Sequence, residues 1–247
     1  MDELIYVAMN GAKQIDRAQA IVSHNLANAN TTGFRAELHG FQGVDVEGPG
    51  YETRVNTLVT PGGWSHAQGA LVTTGNELDV AVSGSGWIAV QAPDGSEAYT
   101  RAGDLRVTAL GVLTTGAGHP VLGDSGGPVA VPPHNKLSIG GDGTVSVIGK
   151  GQGAETIAAV TRLKLVDPPA EDLVRGEDGL MRMWDGSVAE ADARVRLTSG
   201  VLESSNVNVV DALVSMIEIS RQFEMQVRMM DTANENATAA ASLMRMS

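Results

Sequence analysis

The stretch that decides the fold is "VVDALVSMIEISRQFEMQVRMMDTANENATAAASLM", residues 209–244. It contains neither glycine nor proline, so nothing in it breaks a helix. Alternating steps of four and three residues pick out Val209, Leu213, Met216, Ser220, Phe223, Val227, Met230, Asn234, Ala237, Ala241 and Met244, all apolar except Ser220 and Asn234. That is the a/d spacing of a helix seam. At about 1.5 Å per residue such a helix runs roughly 54 Å, beyond the reach of one small domain. Asn208 stands where it can cap the first turn, and Asp211 sits at the positive end of the dipole. The N-terminal segment repeats the pattern in Ile5, Ala8, Ala12, Ile15, Gln19, Val22, Leu26 and Ala29, apolar except Gln19. Its stop signal is "NANTTGF", residues 28–34, where Gly33 can take the left-handed conformation past the last turn. Two arrangements are open: two ordinary helices packed on a β core, or a coiled-coil pair joining the ends of the chain. The shared type of seam favours the second.

Between these ends the composition changes. All nine prolines lie between Pro49 and Pro169; only Gly11 precedes Gly33, and no glycine follows Gly200. The middle alternates or runs apolar in short lengths, as in "LDVAVSG", "GWIAVQA", "GVLTT", "KLSIG", "TVSVIG" and "TIAAVTRLKLVD". The pairs Asp94-Gly95, Asp142-Gly143, Asp178-Gly179 and Asp185-Gly186 punctuate it as hairpins require. The expected fold class is α+β: terminal helices pairing as a coiled-coil domain around a central antiparallel β-rich domain. The expected divisions are an N-terminal helix over 1–33, a connecting segment with some extended structure over 34–76, the β domain over 77–202 and a C-terminal helix over 203–247.

Bulk properties exclude several functions. The net charge of −12 over 247 residues, most of it in the middle, is the opposite of a nucleic-acid footprint. No cysteine is present, so neither a disulfide framework nor a thiolate metal site is expected. The start, "MDELIYVAMNGAKQ", has two acids where a secretory signal needs basic residues. No run approaches the ~18 apolar residues of a membrane span, so no direct membrane insertion is expected. "GDSGGP", residues 123–128, looks like the nucleophile motif of chymotrypsin-like proteases, and His66 and Asp79 precede Ser125 in the order of that triad. The context argues otherwise. His66 sits in "GWSHAQGA" rather than beside a cysteine, and Ser125 is mid-chain with long helical ends around the β region. "VLGDSGGPVAVP" parses as strand, turn and strand, with Gly126 and Gly127 supplying positive φ and Pro128 opening an edge strand. A secreted serine hydrolase using Ser125 remains a remote alternative. "GKGQGAET", residues 149–156, fails as a phosphate loop because Gly151 follows Lys150. Histidines 24, 39, 66, 119 and 134 lack metal-ligand spacing. No cofactor, metal, catalytic residue or small-molecule substrate is expected.

"MDELIYVAMNGAKQ" and "QAIVSHNLANANTTGFRA" resemble the N-terminal signature of flagellar rod and hook proteins, with Asn25-Leu26-Ala27-Asn28 and Thr32-Gly33-Phe34 as its hallmark. "GVLESSNVNVVDALVSMIEISRQFEM" resembles their C-terminal signature, through Ser205-Asn206-Val207-Asn208, Arg221 and Phe223-Glu224. "TGNELDVAVSGSGWIAVQAPDGSEAYTRAGDL" resembles the family's shared β domain, including Tyr99-Thr100-Arg101. Within the family the chain looks more like a proximal rod subunit than a distal one, which is the alternative. The resemblance implies a structural subunit of the basal-body rod in the periplasm, exported by the flagellar type III apparatus without a cleaved signal. It implies as partners other copies of the chain and other rod proteins in a helical assembly. The subunit-interface residues expected from the seam and the resemblance are Ile5, Ala8, Ala12, Ile15, Val22, Leu26, Asn28, Val209, Leu213, Met216, Phe223, Val227, Met230 and Met244. Flexible Met216, Met230 and Met244, with Met225 and Met229 beside them, suit packing against several non-identical neighbours.

Overall fold

A computed structural model describes residues 2–45, 55–151 and 157–246. The chain forms two compact units. One comprises residues 1–29, 36–65 and 207–247, the other residues 30–35 and 66–206. The architecture is α+β, and among the described residues every strand pairing is antiparallel.

The first unit holds α1 (Asp2–Ala27), α2 (Val209–Met246) and a hairpin of β1 (Glu37–Asp45) and β2 (Val55–Trp64). Much of the span expected as a connection is therefore this hairpin, registered from Glu37 opposite Trp64 to Asp45 opposite Val55. Asn208 caps α2 as its sequence implies: its Oδ1 accepts the Val210 N–H at 3.0 Å and the Asp211 N–H at 3.5 Å. α1 ends at Ala27, six residues before Gly33, so Gly33 is not its cap. Asn28 closes the last turn instead, its Nδ2 donating to the His24 carbonyl at 2.9 Å.

The second unit contains the remaining strands. These are β3 (Leu71–Thr73), β4 (Val80–Ser83), β5 (Trp87–Gln91), β6 (Glu97–Thr100), β7 (Leu105–Val107) and β8 (Leu113–Thr115). β9 (His134–Ile139), β10 (Thr144–Gly149), β11 (Ala158–Arg162), β12 (Leu165–Val166) and β13 (Leu173–Arg175) follow. β14 (Met181–Met183), β15 (Arg196–Ser199) and β16 (Val201–Glu203) complete the set. The largest sheet runs β12-β5-β6-β14-β13, and a second runs β11-β10-β9. Val80, Val82, Ile88, Val90, Leu105, Leu113, Val145, Leu163 and Leu165 are buried in one core. The four Asp-Gly turns form as expected, their glycines at φ +72° to +87°. Within the core Lys164 donates to both oxygens of Glu97, at 2.8 and 2.9 Å.

Candidate assembly interface

In the helical unit α1 and α2 pack side by side. Ile15, Ala18, Val22 and Ile219 are buried together, with Ala212, Met216 and Val59 against them. A Cβ on Gly11 would lie 3.1 Å from the Gln226 side chain, so that glycine lets the helices approach closely. Higher numbers on α1 thus meet lower numbers on α2, and the pair is antiparallel. Polar side chains of α1 hold the hairpin. Gln14 is buried and accepts the Val59 N–H at 3.1 Å, and Asn10 donates to the Thr57 carbonyl at 3.0 Å. Asn25 bonds both backbone groups of Glu37, at 2.8 and 2.9 Å, which gives the hallmark asparagine a concrete task.

The expected interface residues fall into two sets. Ala8, Ala12, Ile15 and Val22 are buried within the chain, and Leu26, Asn28, Met216 and Met230 are half-buried. Ile5, Val209, Leu213, Phe223, Val227 and Met244 are exposed. The sequence seam of α2 is therefore not the line it turns inward. The inward line is Ala212, Met216, Ile219, Gln226, Met230, Ala233 and Ala237, each buried or half-buried. It shares Met216, Met230 and Ala237 with the expected seam. At alternate positions it takes the preceding residue: Ala212 for Leu213, Ile219 for Ser220, Gln226 for Val227, Ala233 for Asn234. One residue is ~100° of helix rotation, so the packed face is turned by roughly half that. Gly11 and the buried Ala8, Ala12 and Ala18 keep that face of α1 small, and Leu213, Phe223 and Val227 of α2 are left exposed. The hairpin adds exposed Leu38, Phe41, Val44, Val55 and Leu58. So much uncovered apolar surface on one unit is characteristic of an interaction surface.

The second unit is secured by charged residues, of which the sequence singled out Arg101 within Tyr99-Thr100-Arg101 but neither Arg35 nor Glu203. Glu203 is fully buried. Its Oε1 meets Arg35 Nη2 at 2.7 Å and accepts the Gly69 N–H at 3.1 Å, and its Oε2 meets Arg101 Nη1 at 3.0 Å. Arg101 also donates to the Gly84 carbonyl at 2.7 Å and lies 5.4 Å from the centre of the Trp87 ring. Arg35 donates to the Ala67 carbonyl. Burial holds the Arg35 guanidinium below the usual arginine range, against the upward pull of Glu203, and Arg101 adds to the lowering. The hallmark residues close around this cluster. Gly33, at φ +67°, donates to the Glu203 carbonyl at 2.8 Å, and a Cβ there would collide with the Arg101–Ala102 peptide. Asn206 donates its backbone N–H to the Phe34 carbonyl at 3.2 Å and its Nδ2 to the Ala67 carbonyl at 2.8 Å. Arg175 stacks over the Phe34 ring at 4.3 Å. Tyr99 is buried, accepts the Ala189 N–H at 2.7 Å, and has its phenol pushed up to about 12 by burial. Three signatures separated by up to ~170 positions thus meet in one unit. The signal was present as charges inside apolar motifs: Arg35 after Gly33-Phe34, Arg101 after Tyr99-Thr100, and Glu203 after Val201-Leu202.

Ser125 lies exposed in a tight turn, with Leu122 bridged to Pro128 and the Gly123 N–H bonded to the Gly127 carbonyl at 2.9 Å. Gly126 has φ +81°, but Gly127 does not have a positive φ, a correction to the expectation for that residue. Both oxygens of Asp79 are engaged by its own chain neighbours, by Thr74 Oγ1 at 2.6 Å and Asn76 Nδ2 at 2.9 Å. Of "GKGQGAET", residues 152–156 lie outside the described residues. Among the described residues no three of His, Asp and Glu gather as a metal site, and no helix is long and apolar enough to cross a membrane.

Comparison with known proteins bears on the same regions. Residues 5–35 match the family described as "Flagella basal body rod protein". Residues 81–147 match "Flagellar hook protein FlgE/F/G D1 domain", and residues 198–243 match "Flagellar basal body rod FlgEFG protein C-terminal". The chain is 44% identical to the flagellar basal-body rod protein FlgF of Escherichia coli strain K12, over all of both chains. It is 42% identical to FlgF of Salmonella typhimurium, again over all of both, and 34% identical to FlgF of Caulobacter vibrioides over 97% of each.

Proposed function

The chain belongs to the flagellar basal-body rod protein family and is most like FlgF, and from that premise we propose that it builds the proximal part of the rod, polymerising through its terminal helices. The observation that carries the mode of assembly is the uncovered apolar surface of the helical unit. Val209, Leu213, Phe223 and Val227 on α2 and Ile5 on α1 stay exposed while the small residues between the helices are buried. In this reading the antiparallel helices pair as a coiled coil that forms the inner domain, and the expected interface residues contact neighbouring subunits. The subunit leaves the cytosol through the flagellar type III apparatus without a cleaved signal, lies in the periplasm, and carries torque rather than catalysing a reaction. The buried ion cluster suits that role, since buried ion pairs fix one arrangement rather than adding much net stability.

The test is genetic and structural. A strain lacking the chain should be non-motile and build no hook or filament, and an epitope-tagged copy should restore motility and be recovered in purified basal bodies. Normal rods in the deletion strain would refute the proposal. Labelling of Ser125 by a fluorophosphonate would favour the hydrolase.

A further inference from the structure

We infer that Asn10, Gln14 and Arg17 form an edge guard: a polarised row of side chains on α1 that takes the place of a third strand beside β2 and keeps the hairpin from stacking into an open-ended sheet. Among the described residues β1 and β2 make a sheet of two strands, so each has an outward edge. Such an edge is a template for another strand. The hazard is real here, because the hairpin also exposes Leu38, Phe41, Val44, Val55 and Leu58. Residues directly opposite in an antiparallel pair exchange both backbone bonds or neither. The Thr57 carbonyl accepts from Asn10 at 3.0 Å, and the Val59 N–H donates to Gln14 at 3.1 Å. The pairs Gly43–Thr57 and Phe41–Val59 are therefore of the non-bonded kind. An outward acceptor and an outward donor of β2 are thus both taken by α1.

The three side chains stand at i, i+4 and i+7, one stripe of α1. Their donors and acceptors run one way. Arg17 has only donors, and its Nη1 donates to Gln14 Oε1 at 3.4 Å. The Gln14 amide is thereby turned so that its oxygen also meets the Val59 N–H, while its Nε2 donates to Asn10 Oδ1 at 3.4 Å. Asn10 Nδ2 is left to donate to the Thr57 carbonyl. The stripe offers an acceptor where β2 has a donor and a donor where β2 has an acceptor, as a paired strand does. Gln14 is buried, and a buried amide is held in place only where its bonds are made. Closing one edge is sufficient. Stacking that repeats without end joins β1 of one copy to β2 of the next, two different surfaces, and a β2 already taken removes that contact. Arg17, which touches no strand, acts as a positioning residue for the two amides.

The test uses the purified full chain, which has no cysteine of its own. Leu58→Cys carries a nitroxide on the face of β2 turned away from Thr57 and Val59. In a stacked sheet the label recurs every two strands, about 10 Å apart, and its spectrum broadens. The labelled chain should show no broadening. Adding Asn10→Ala and Gln14→Leu should speed hydrogen exchange at the Val59 amide about tenfold and give broadening that grows with concentration. Gln14→Glu keeps the acceptor for Val59 and Arg17 and should behave like the native chain. Arg17→Met, which leaves both amides in place, should speed the exchange only a few-fold. Unchanged Val59 exchange in the double variant overturns the guard, and so does faster exchange without broadening at any concentration. Broadening with Gln14→Glu equal to that of the double variant overturns it as well. If the double variant loses its helical circular dichroism, Arg17→Met decides: faster Val59 exchange with native melting supports the guard, and native exchange overturns it.

Discussion

Replacing Glu203 by Gln leaves the shape of the cluster almost unchanged and removes the carboxylate that pairs with both Arg35 and Arg101. Arg35 and Arg101, exposed by only 4% and 5%, would then face each other across a neutral amide. Removing one partner of a buried ion pair costs about 3–5 kcal/mol, because the remaining charge is left uncompensated in a poorly solvated site. Here two cations are left. Each retains a carbonyl, Ala67 for Arg35 and Gly84 for Arg101, which places the expected loss near the lower end, about 3 kcal/mol. For a unit of this size 1 kcal/mol corresponds to roughly 2–4 °C, so the melting temperature should fall by about 10 °C. Near-ultraviolet circular dichroism is the suitable assay, because Trp87 lies against Arg101 and reports the cluster directly. A triple replacement of Arg35, Arg101 and Glu203 by Met removes every charge together and should recover part of the loss, since apolar substitutes for a whole buried ion group are often neutral or better. Arg194→Ala, which breaks an exposed pair with Asp192, is the control and should melt like the native protein. A Glu203→Gln protein melting within about 2 °C of the native one would refute the reasoning.

Other expectations follow from single positions. Gly33→Ala should prevent the second unit from folding, since it combines a positive φ with a backbone collision at Arg101, and expression with limited proteolysis would show it. In the Ser125 turn, Gly126→Val should lower the melting temperature measurably while Gly127→Val and Ser125→Ala should not, as only Gly126 needs φ of +81°. Spectrophotometric titration should find Tyr99 un-ionised at pH 11. Its folded pKa is raised, so its contribution is complete below the unfolded value near 10 and is lost as the pH climbs through about 12. Val227→Glu should melt normally yet fail to enter the rod, because Val227 is exposed on the free chain, whereas Ala233→Glu should loosen the helix pair itself; thermal melting paired with electron microscopy of basal bodies separates the two.

Much of the fold was legible because its signals are local. Long breaker-free ends implied helices, Asn208 marked the start of α2, and four Asp-Gly pairs marked turns whose glycines do adopt positive φ. The hairpin β1–β2 was not legible. Inside–outside alternation is confined to the first four residues of β1 and most of the hairpin is exposed, and period two is visible only where one face is buried. The ion cluster escaped for another reason. Arg35, Arg101 and Glu203 are far apart in sequence, and a charge within an apolar stretch shows nothing of the partner that the fold brings to it.

The choice of seam shows where pattern reading reaches its limit. A heptad pattern ranks positions by apolar character, and by that rule Leu213 and Val227 outrank Ala212 and Gln226. Packing ranks them by fit. α1 presents Ala8, Gly11, Ala12 and Ala18 to its partner, and close approach of two backbones is gained by small residues on both sides, so Ala212 and Ala233 turn inward. The larger residues are then left for surfaces outside the chain. A helix that buried its most apolar line against its own partner would satisfy the monomer and leave little to drive polymerisation. Here Leu213 and Val227 stay exposed at the positions where Ala212 and Gln226 turn inward, while Ile219 and Ala233 are buried in place of Ser220 and Asn234. The Val227→Glu and Ala233→Glu pair tests that division directly: identical melting curves for the two variants would mean that both lines serve the same contact.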